Sequence, residues 1–471
     1  MTKKHLNVHF TLCFLLLLPL LGTAQDEKAD AKDEDAFFLR SIFDHALTQS
    51  NAYDWLHFLT KKVGARLSGS PQAAAAVTYT RQMLDTLSLD SVWLQPCMVP
   101  HWERGAAEEV RVVNSTKMGS LSLRGVALGN SIGTGPGGVT AEVVEVKSLD
   151  EVDELGEAGV AGKIVFYNRP LNPTHINTFQ AYGGAVDQRG AGASRAARYG
   201  AVGVLVRSMT TGLDDVPHTG SLRYDPEYPA IPAIAITTND AELLSRLAAE
   251  ELVRVYMRSD SRMLSDKPSY NVIGEIKGAE HPEEIILVGG HLDSWDLGEG
   301  AHDDGAGCVQ SMAVVQTLLQ LGYRPKRTIR CVLFMNEENG LAGGRTYWAK
   351  SNEAGEYHMA AIESDRGGFT PRGFTCEGED EVFKKKFRKV NRWLPLLEPY
   401  GLTLNPGGSG ADISGLKSQG GLLFGLYPDS QRYFDFHHTD ADRFEVVNKR
   451  ELEMGAAAMT ALVYLLDKYG L

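Results

Sequence analysis

Short continuous apolar runs alternate with helical patterns over most of the chain. EEIILVGG (283–290) is such a run, closed by paired glycines, and predicts a strand buried on both faces of a parallel sheet. GAGCVQSMAVVQTLLQLG (305–322) opens on small residues, continues with a long apolar body and stops at Gly322, which predicts a packed helix. SYNVIGEIKG, TIRCVLFM (328–335) and the apolar start of AAIESDRGG (360–368) repeat the strand pattern around that pair. Upstream, the spacing of Phe37, Leu39, Ile42, Phe43 and Leu47, followed by WLHFLTKKVG and AAAAVTYTRQMLDTL, predicts packed helices, with SVWLQP as a strand after them.

Near Gly129 the pattern changes. GNSIGTGPGGVTAEVVEV is turn-rich and then β-rich, and KIVFYN, GAVGVLVR and IPAIAIT are short strands separated by loops and by the helical stretch AGASRAARYG. The expected organisation is a large three-layer α/β domain in two pieces, 25–128 and 259–471, with a smaller β-rich domain inserted at 129–258. No tandem repeat interrupts this plan.

The amino terminus has a different character. Lys3 and Lys4, an apolar run from Phe10 to Leu21 and the small-residue exit Gly22, Thr23 and Ala24 predict a secretory signal over 1–24. The run is shorter than the ~20 apolar residues of a spanning helix, so the mature chain is expected to be exported, to a periplasm or the medium, with no membrane anchor. Residues 26–36 are charged and almost free of apolar groups, and are expected to be frayed.

At 471 residues the chain can bury a large core, and its net charge of -13, spread along the sequence, argues against nucleic acid as a partner. Cys97, Cys308, Cys331 and Cys376 show no CxxC spacing, which argues against a zinc–thiolate site; buried thiols are expected, with a disulfide left open.

The chemistry is concentrated where predicted strands end. HLDSWDLGEGAHDDGAG (291–307) follows the first strand, NEENG (336–340) the second, Asp365 the third, and DFHHTDAD (435–442) lies near the carboxyl terminus. Open α/β sheets place ligands at the carboxyl ends of their strands. Each cluster alone reads as a solvated acidic or histidine-bearing loop; four in succession read as a metal site. Imidazole and carboxylate donors without thiolates suit two zinc ions. On this reading Asp303 bridges them, His291 and Asp365 complete one site, and Glu338 and His438 the other. Asp293 is placed to orient His291 through its second nitrogen. Glu337, beside a ligand without being one, is the candidate general base for a water activated by the metals.

The pieces GGHLDSWD, AHDDGAG, NEENG, ESD and FHHTD together resemble the M28 family of zinc peptidases, in its carboxypeptidase Q-like branch. The resemblance implies the mixed-sheet zinc exopeptidase fold. It places two zincs on His291, Asp303, Glu338, Asp365 and His438, with Glu337 as base, and a cis peptide between Asp303 and Asp304. Residues 129–258 resemble the protease-associated domain that many of these enzymes carry over the cleft, which implies short peptide substrates. A homodimer is a further implication. Which peptide end is read stays open: Asp412 is the candidate for an ammonium group and Arg432 for a terminal carboxylate, each with a structural alternative, as a helix cap and in a surface ion pair. Two other functions share the fold, a one-zinc glutaminyl cyclase and a receptor-like binding protein, and the complete ligand set weighs against both.

Overall fold

The structure, a computed structural model, describes residues 20–471. Among them, eight strands form the first sheet: β1 (Ser91–Glu103), β2 (Arg262–Ile276), β3 (His281–His291), β4 (Arg327–Phe334), β5 (Tyr357–Glu363), β6 (Pro371–Glu377), β7 (Thr403–Pro406) and β8 (Leu422–Pro428). Their spatial order is β1-β2-β4-β3-β5-β8-β6-β7. The central four, β4, β3, β5 and β8, are parallel, and antiparallel pairs flank them. Parallel strands need cover on both faces, and the apolar runs that predicted them are buried throughout from Ile285 to His291 and from Thr328 to Phe334.

One face is covered by the helix Ala306–Gln320, buried along nearly its whole length, which packs against the terminal helix Lys449–Tyr469 and the first helix Leu20–Gln49. The helix Ala342–Ala354 and the turns at 414–419 cover the other. Gly307 opens the first of these helices at a point where no side chain fits: a Cβ there would lie 1.8 Å from the Ser364 carbonyl and 2.5 Å from the Asp304 carboxylate. The helix thereby starts directly beneath the strand ends.

The second sheet is built on four parallel strands, Val139–Val146, Ile164–Tyr167, Gly203–Arg207 and Ala233–Ile236. It also takes in Glu109–Ser115, which pairs with Gly119–Leu123 on one side and Arg254–Arg258 on the other, and Gly125–Ala127, which pairs with Ala233–Ile236. The second sheet therefore draws in strands from Glu109 onward, upstream of the compositional change at Gly129.

The amino terminus differs from expectation. The first helix runs unbroken through 26–36, and Asp35, fully buried, accepts hydrogen bonds from Tyr464 at 2.7 Å and from Lys468 and Tyr469. A tertiary anchor orders a segment whose own composition predicts fraying. Most of the expected signal lies outside the described residues. Among those described, no helix is long and apolar enough to cross a membrane. Among the described residues, Cys97, Cys308, Cys331 and Cys376 are free and buried.

Candidate metal centre

His291 is the last residue of β3, Glu337 and Glu338 follow β4, and Asp365 follows β5. Asp303 sits in the tight turn Ala301–Gly305 that enters the buried helix, and His437 and His438 lie beyond β8. Asp303 stands between two pairs of donors. His291 Nε2 is 3.2 Å from one of its oxygens and 3.4 Å from Asp365; His438 Nε2 is 3.3 Å from the other and 3.2 Å from Glu338. Two ligands held at ~2.0–2.1 Å on one tetrahedral ion lie about 3.3 Å apart, so these separations are those of ligand edges. A space of about 10 Å³ adjoins Asp303, Glu338 and His438, and the buried oxygens Asp303 Oδ2 and Glu338 Oε1 have no hydrogen-bond partner. Buried carboxylate oxygens without partners are costly unless a cation takes them. The residues fit metal ions.

The surrounding shell holds these donors from the main chain outward. The Asp303–Asp304 peptide is cis. The Asp304 carboxylate accepts from the His291 and Gly307 amides at 3.0 and 2.9 Å, and the Asp442 carboxylate accepts from the His302 and Asp303 amides at 2.7 and 3.0 Å. Arg66, wholly buried, donates to the carbonyls of Leu292, Glu299 and Gly300, closing the acidic loop from below.

Asp293 acts differently from expectation. Its main-chain carbonyl, at 3.0 Å, meets His291 Nδ1, while its carboxylate is 3.8 Å from that nitrogen. The carboxylate instead accepts the amides of Asn336, Glu337 and Glu338 at 2.7, 3.0 and 3.4 Å. Asp293 thus pins the turn that carries the candidate base and one ligand, as well as orienting the histidine.

Electrostatics follow from crowding. Burial would raise the Asp303 carboxyl, but the hydrogen bond from His291 and the adjacent imidazoles of His438 and His437 outweigh it and hold the group well below the usual range. Burial, with Asp365 and Glu338 close by, pushes Glu337 well above it, and burial with Asp303 nearby raises Glu338 to about 7. Burial and His438 together keep His437 neutral.

Segments between the strands of the second sheet reach into this site. Thr219 donates its amide to the His438 carbonyl at 3.0 Å, and His438 has a left-handed backbone, φ 62°. Gly220 beside it admits no side chain, since a Cβ would lie 2.4 Å from Arg189 Nη1 and 2.6 Å from His438 Nδ1. Tyr182 stacks on Phe434, Phe179 meets Phe434 edge-on, and Tyr182 meets the edge of His437. The result is a cavity of about 310 Å³ over the donors, walled by aromatic rings and bordered by Arg189 and Arg366. A larger cleft of about 1400 Å³ opens alongside it between the domains; Glu337, Arg189 and Ser221 border both.

Neither expected substrate contact lies at these cavities. Arg432 pairs with Glu451 at 3.0 Å and lies over Phe369, so its charge is already matched on the surface. Asp412 is fully buried behind the site, next to Gly344 and Glu363, where a peptide terminus has no access. Three residues that matter escaped the sequence pattern. His437 shares with His438 and Asp303 a donor group fit for a metal, and its only signal was the doubled histidine. Asp442 was quoted within its cluster without a role. Arg189 had no signal at all, being 249 positions from the histidine it approaches.

A mixed sheet with imidazole and carboxylate donors gathered at its strand ends, under a covered cavity, defines a metallohydrolase. Known proteins narrow the class. Residues 271–463 match peptidase family M28. The chain is 36% identical over 452 residues to carboxypeptidase Q of Bos taurus, covering 94% of this chain and 92% of that protein. Its structure is similar to that of a peptidase M28 precursor from Shewanella amazonensis, with TM-score 0.87, 33% identity, and 93% and 98% of the two chains covered. It shares its fold with a zinc aminopeptidase from Bacillus subtilis, with TM-score 0.62, 20% identity, and 89% and 95% covered. The chain belongs to peptidase family M28. It is a peptidase of that family, a hydrolase of peptides.

Proposed function

We propose that this protein is a two-zinc exopeptidase of short peptides that removes residues from the carboxyl end. The observation that carries the reading is the pairing of donors about Asp303. His291 and Asp365 on one side, Glu338 and His438 on the other, stand at ligand-edge separations. Zinc bound there would polarise the scissile carbonyl and acidify water near neutral pH.

Glu337 does the proton work. Half-buried where the two cavities meet, it takes a proton from the attacking water as the carbon–oxygen bond forms. It returns that proton to the departing amine as the carbon–nitrogen bond breaks. A carboxyl raised by burial and by like charges is a better base than an exposed one, which suits the role. Asp293 keeps Glu337 aimed by holding the amides of its turn.

The inserted sheet is read as the protease-associated domain. Its rings close the cavity to about 310 Å³, room for a residue or two, which supports small peptides over folded proteins. Resemblance to carboxypeptidase Q supports action at the carboxyl end, and the predicted signal supports export. Metal analysis together with dipeptide hydrolysis tests the reading. Two zincs per chain and cleavage abolished by a chelator are expected; one zinc per fully active chain would remove the bridging role of Asp303.

A further inference from the structure

The turn that carries Glu337 is not closed by its own main chain. The bond that would close it, from the Gly340 amide to the Glu337 carbonyl, is 3.5 Å long, at the limit of a hydrogen bond. Asp293 secures the amides of 336–338 on one side. On the other side, side-chain amides take over. Asn336, fully buried, donates from Nδ2 to Ser68 Oγ at 2.7 Å and to Asn339 Oδ1 at 2.5 Å, and its Oδ1 accepts the Ala342 amide at 3.1 Å. Gly340 packs on that oxygen so closely that a Cβ would lie 2.3 Å from it.

The last amide in the series comes from the second sheet. Asn130, in the loop after the strand Gly125–Ala127, donates from Nδ2 to the Asn339 carbonyl, and Asn339 Nδ2 donates back to Asn130 Oδ1, both at 3.3 Å. Each bond is long, but the two are reciprocal and act as one bidentate contact. Asn130 Nδ2 also reaches the Leu222 carbonyl at 3.4 Å. The backbone of Asn130 is left-handed, φ 66°, a conformation that asparagine adopts more readily than most residues.

The loop belongs to a short ribbon. Gly129 donates to the Gly220 carbonyl and Leu222 to the Gly129 carbonyl, each at 3.0 Å. Next to Gly220, Thr219 holds the His438 carbonyl, also at 3.0 Å. Gly129 lies flat on Trp295, where a Cβ would come within 1.8 Å of the ring, and Trp295 meets His438 edge-on at 5.7 Å. One ribbon thus holds a candidate metal ligand at one end and, through Asn130, the turn of the candidate base at the other. A base must meet a metal-held water at hydrogen-bond distance, and a displacement of about 1 Å can cost on the order of 100-fold in rate.

We infer that Asn130 is a positioning residue for the hydrolysis: it ties the Glu337 turn to the ribbon that holds His438, and so fixes the base relative to the metal donors. The inference rests on the reading of Glu337 as the base. It makes seating of the second sheet against the first part of the assembly of the catalytic centre, in addition to covering it.

The test is Asn130→Gly on the zinc-loaded full chain, with alanyl-leucine as substrate. Glycine keeps the left-handed backbone and removes only the amide. kcat is expected to fall about 10- to 100-fold, with KM within about twofold and metal content unchanged. An unchanged kcat overturns the inference, and so does a raised KM alone, which would make Asn130 a substrate contact in the cleft. Combination with Glu337→Gln separates positioning of the base from general loosening. A residue that acts through Glu337 should add less than about twofold to the loss already caused by Glu337→Gln, whereas a full further loss means that Asn130 acts elsewhere. Full activity of Glu337→Gln by itself would instead remove the base reading, and this inference with it. Hydrogen exchange on the unaltered protein needs no variant to fold: the amides of 128–131 and 336–341 should lose protection together as urea is added. A turn that stays protected after the loop has opened overturns the inference.

Discussion

At the end of the inserted strand Ile164–Tyr167, Asn168 donates to Glu145 at 2.8 Å and accepts from Arg207 at 3.1 Å, and Arg207 also binds Glu242 at 2.7 Å. At the end of β4, the residue after Asn336 is Glu337, facing a cavity, and its neighbour Glu338 keeps one buried oxygen without a partner. Both positions are carboxyl ends of parallel strands, where α/β sheets collect their ligands. In the second sheet opposite charges are paired there; at the end of β4 two acids stand side by side, one with a buried oxygen left unmatched. Topology supplies the place, and unsatisfied chemistry makes it a site.

The sharpest way to break the comparison is to remove the unmatched chemistry. Glu337→Gln should lower kcat by roughly 10³-fold or more with metal content unchanged, since it deletes the proposed proton carrier and none of the proposed ligands. Loss of zinc in that variant, measured by metal analysis, would make Glu337 part of the ligand shell. Asp293→Asn comes next. An amide has one acceptor oxygen where the carboxylate offers two to three backbone N–H groups, so activity should fall about 10- to 100-fold, as for groups that support metal ligands.

The third prediction concerns pH. In zinc-free protein, burial raises Glu338, Glu363 and Asp442 to about 7, and the acids around His438 overcome its burial and raise it to about 9. The folded state holds these protons where the unfolded chain has released them, so its stability declines as pH rises through those values. Asp303 has the opposite sign, as do His218, His302, His358 and His437, which burial keeps neutral, but those contributions are lost only below about pH 6.5. Thermal midpoints of chelated protein should therefore drop between about pH 7 and pH 9, and zinc should flatten or reverse the slope. A midpoint that rises with pH without zinc would contradict the crowding described here.

The smallest expected effect on catalysis lies in the inserted sheet. Asn168→Ala should cost about 1–3 kcal/mol of stability by leaving Arg207 short of a partner, with kcat within about twofold. A large fall in kcat would mean that the inserted strand ends are coupled to the metal centre more closely than their hydrogen bonds indicate.

What the sequence determined by itself is local. Apolar runs such as EEIILVGG locate strands because burial on both faces demands continuity, and the sheet contains them. The candidate metal donors were legible because four clusters each occupy a few residues, most of them at a strand end, so that residue type and position could be read together. The tertiary structure decided what depends on distant partners. It ordered 26–36 through Asp35 on the terminal helix, drew the edge strands from 109 onward into the inserted sheet, and turned the Asp293 carboxylate toward the amides of 336–338. It removed Arg432 to a surface pair, buried Asp412, and put Arg189 beside His438. Side-chain charge and apolarity are properties of residues, but a charge is matched or unmatched only by what the fold brings within reach.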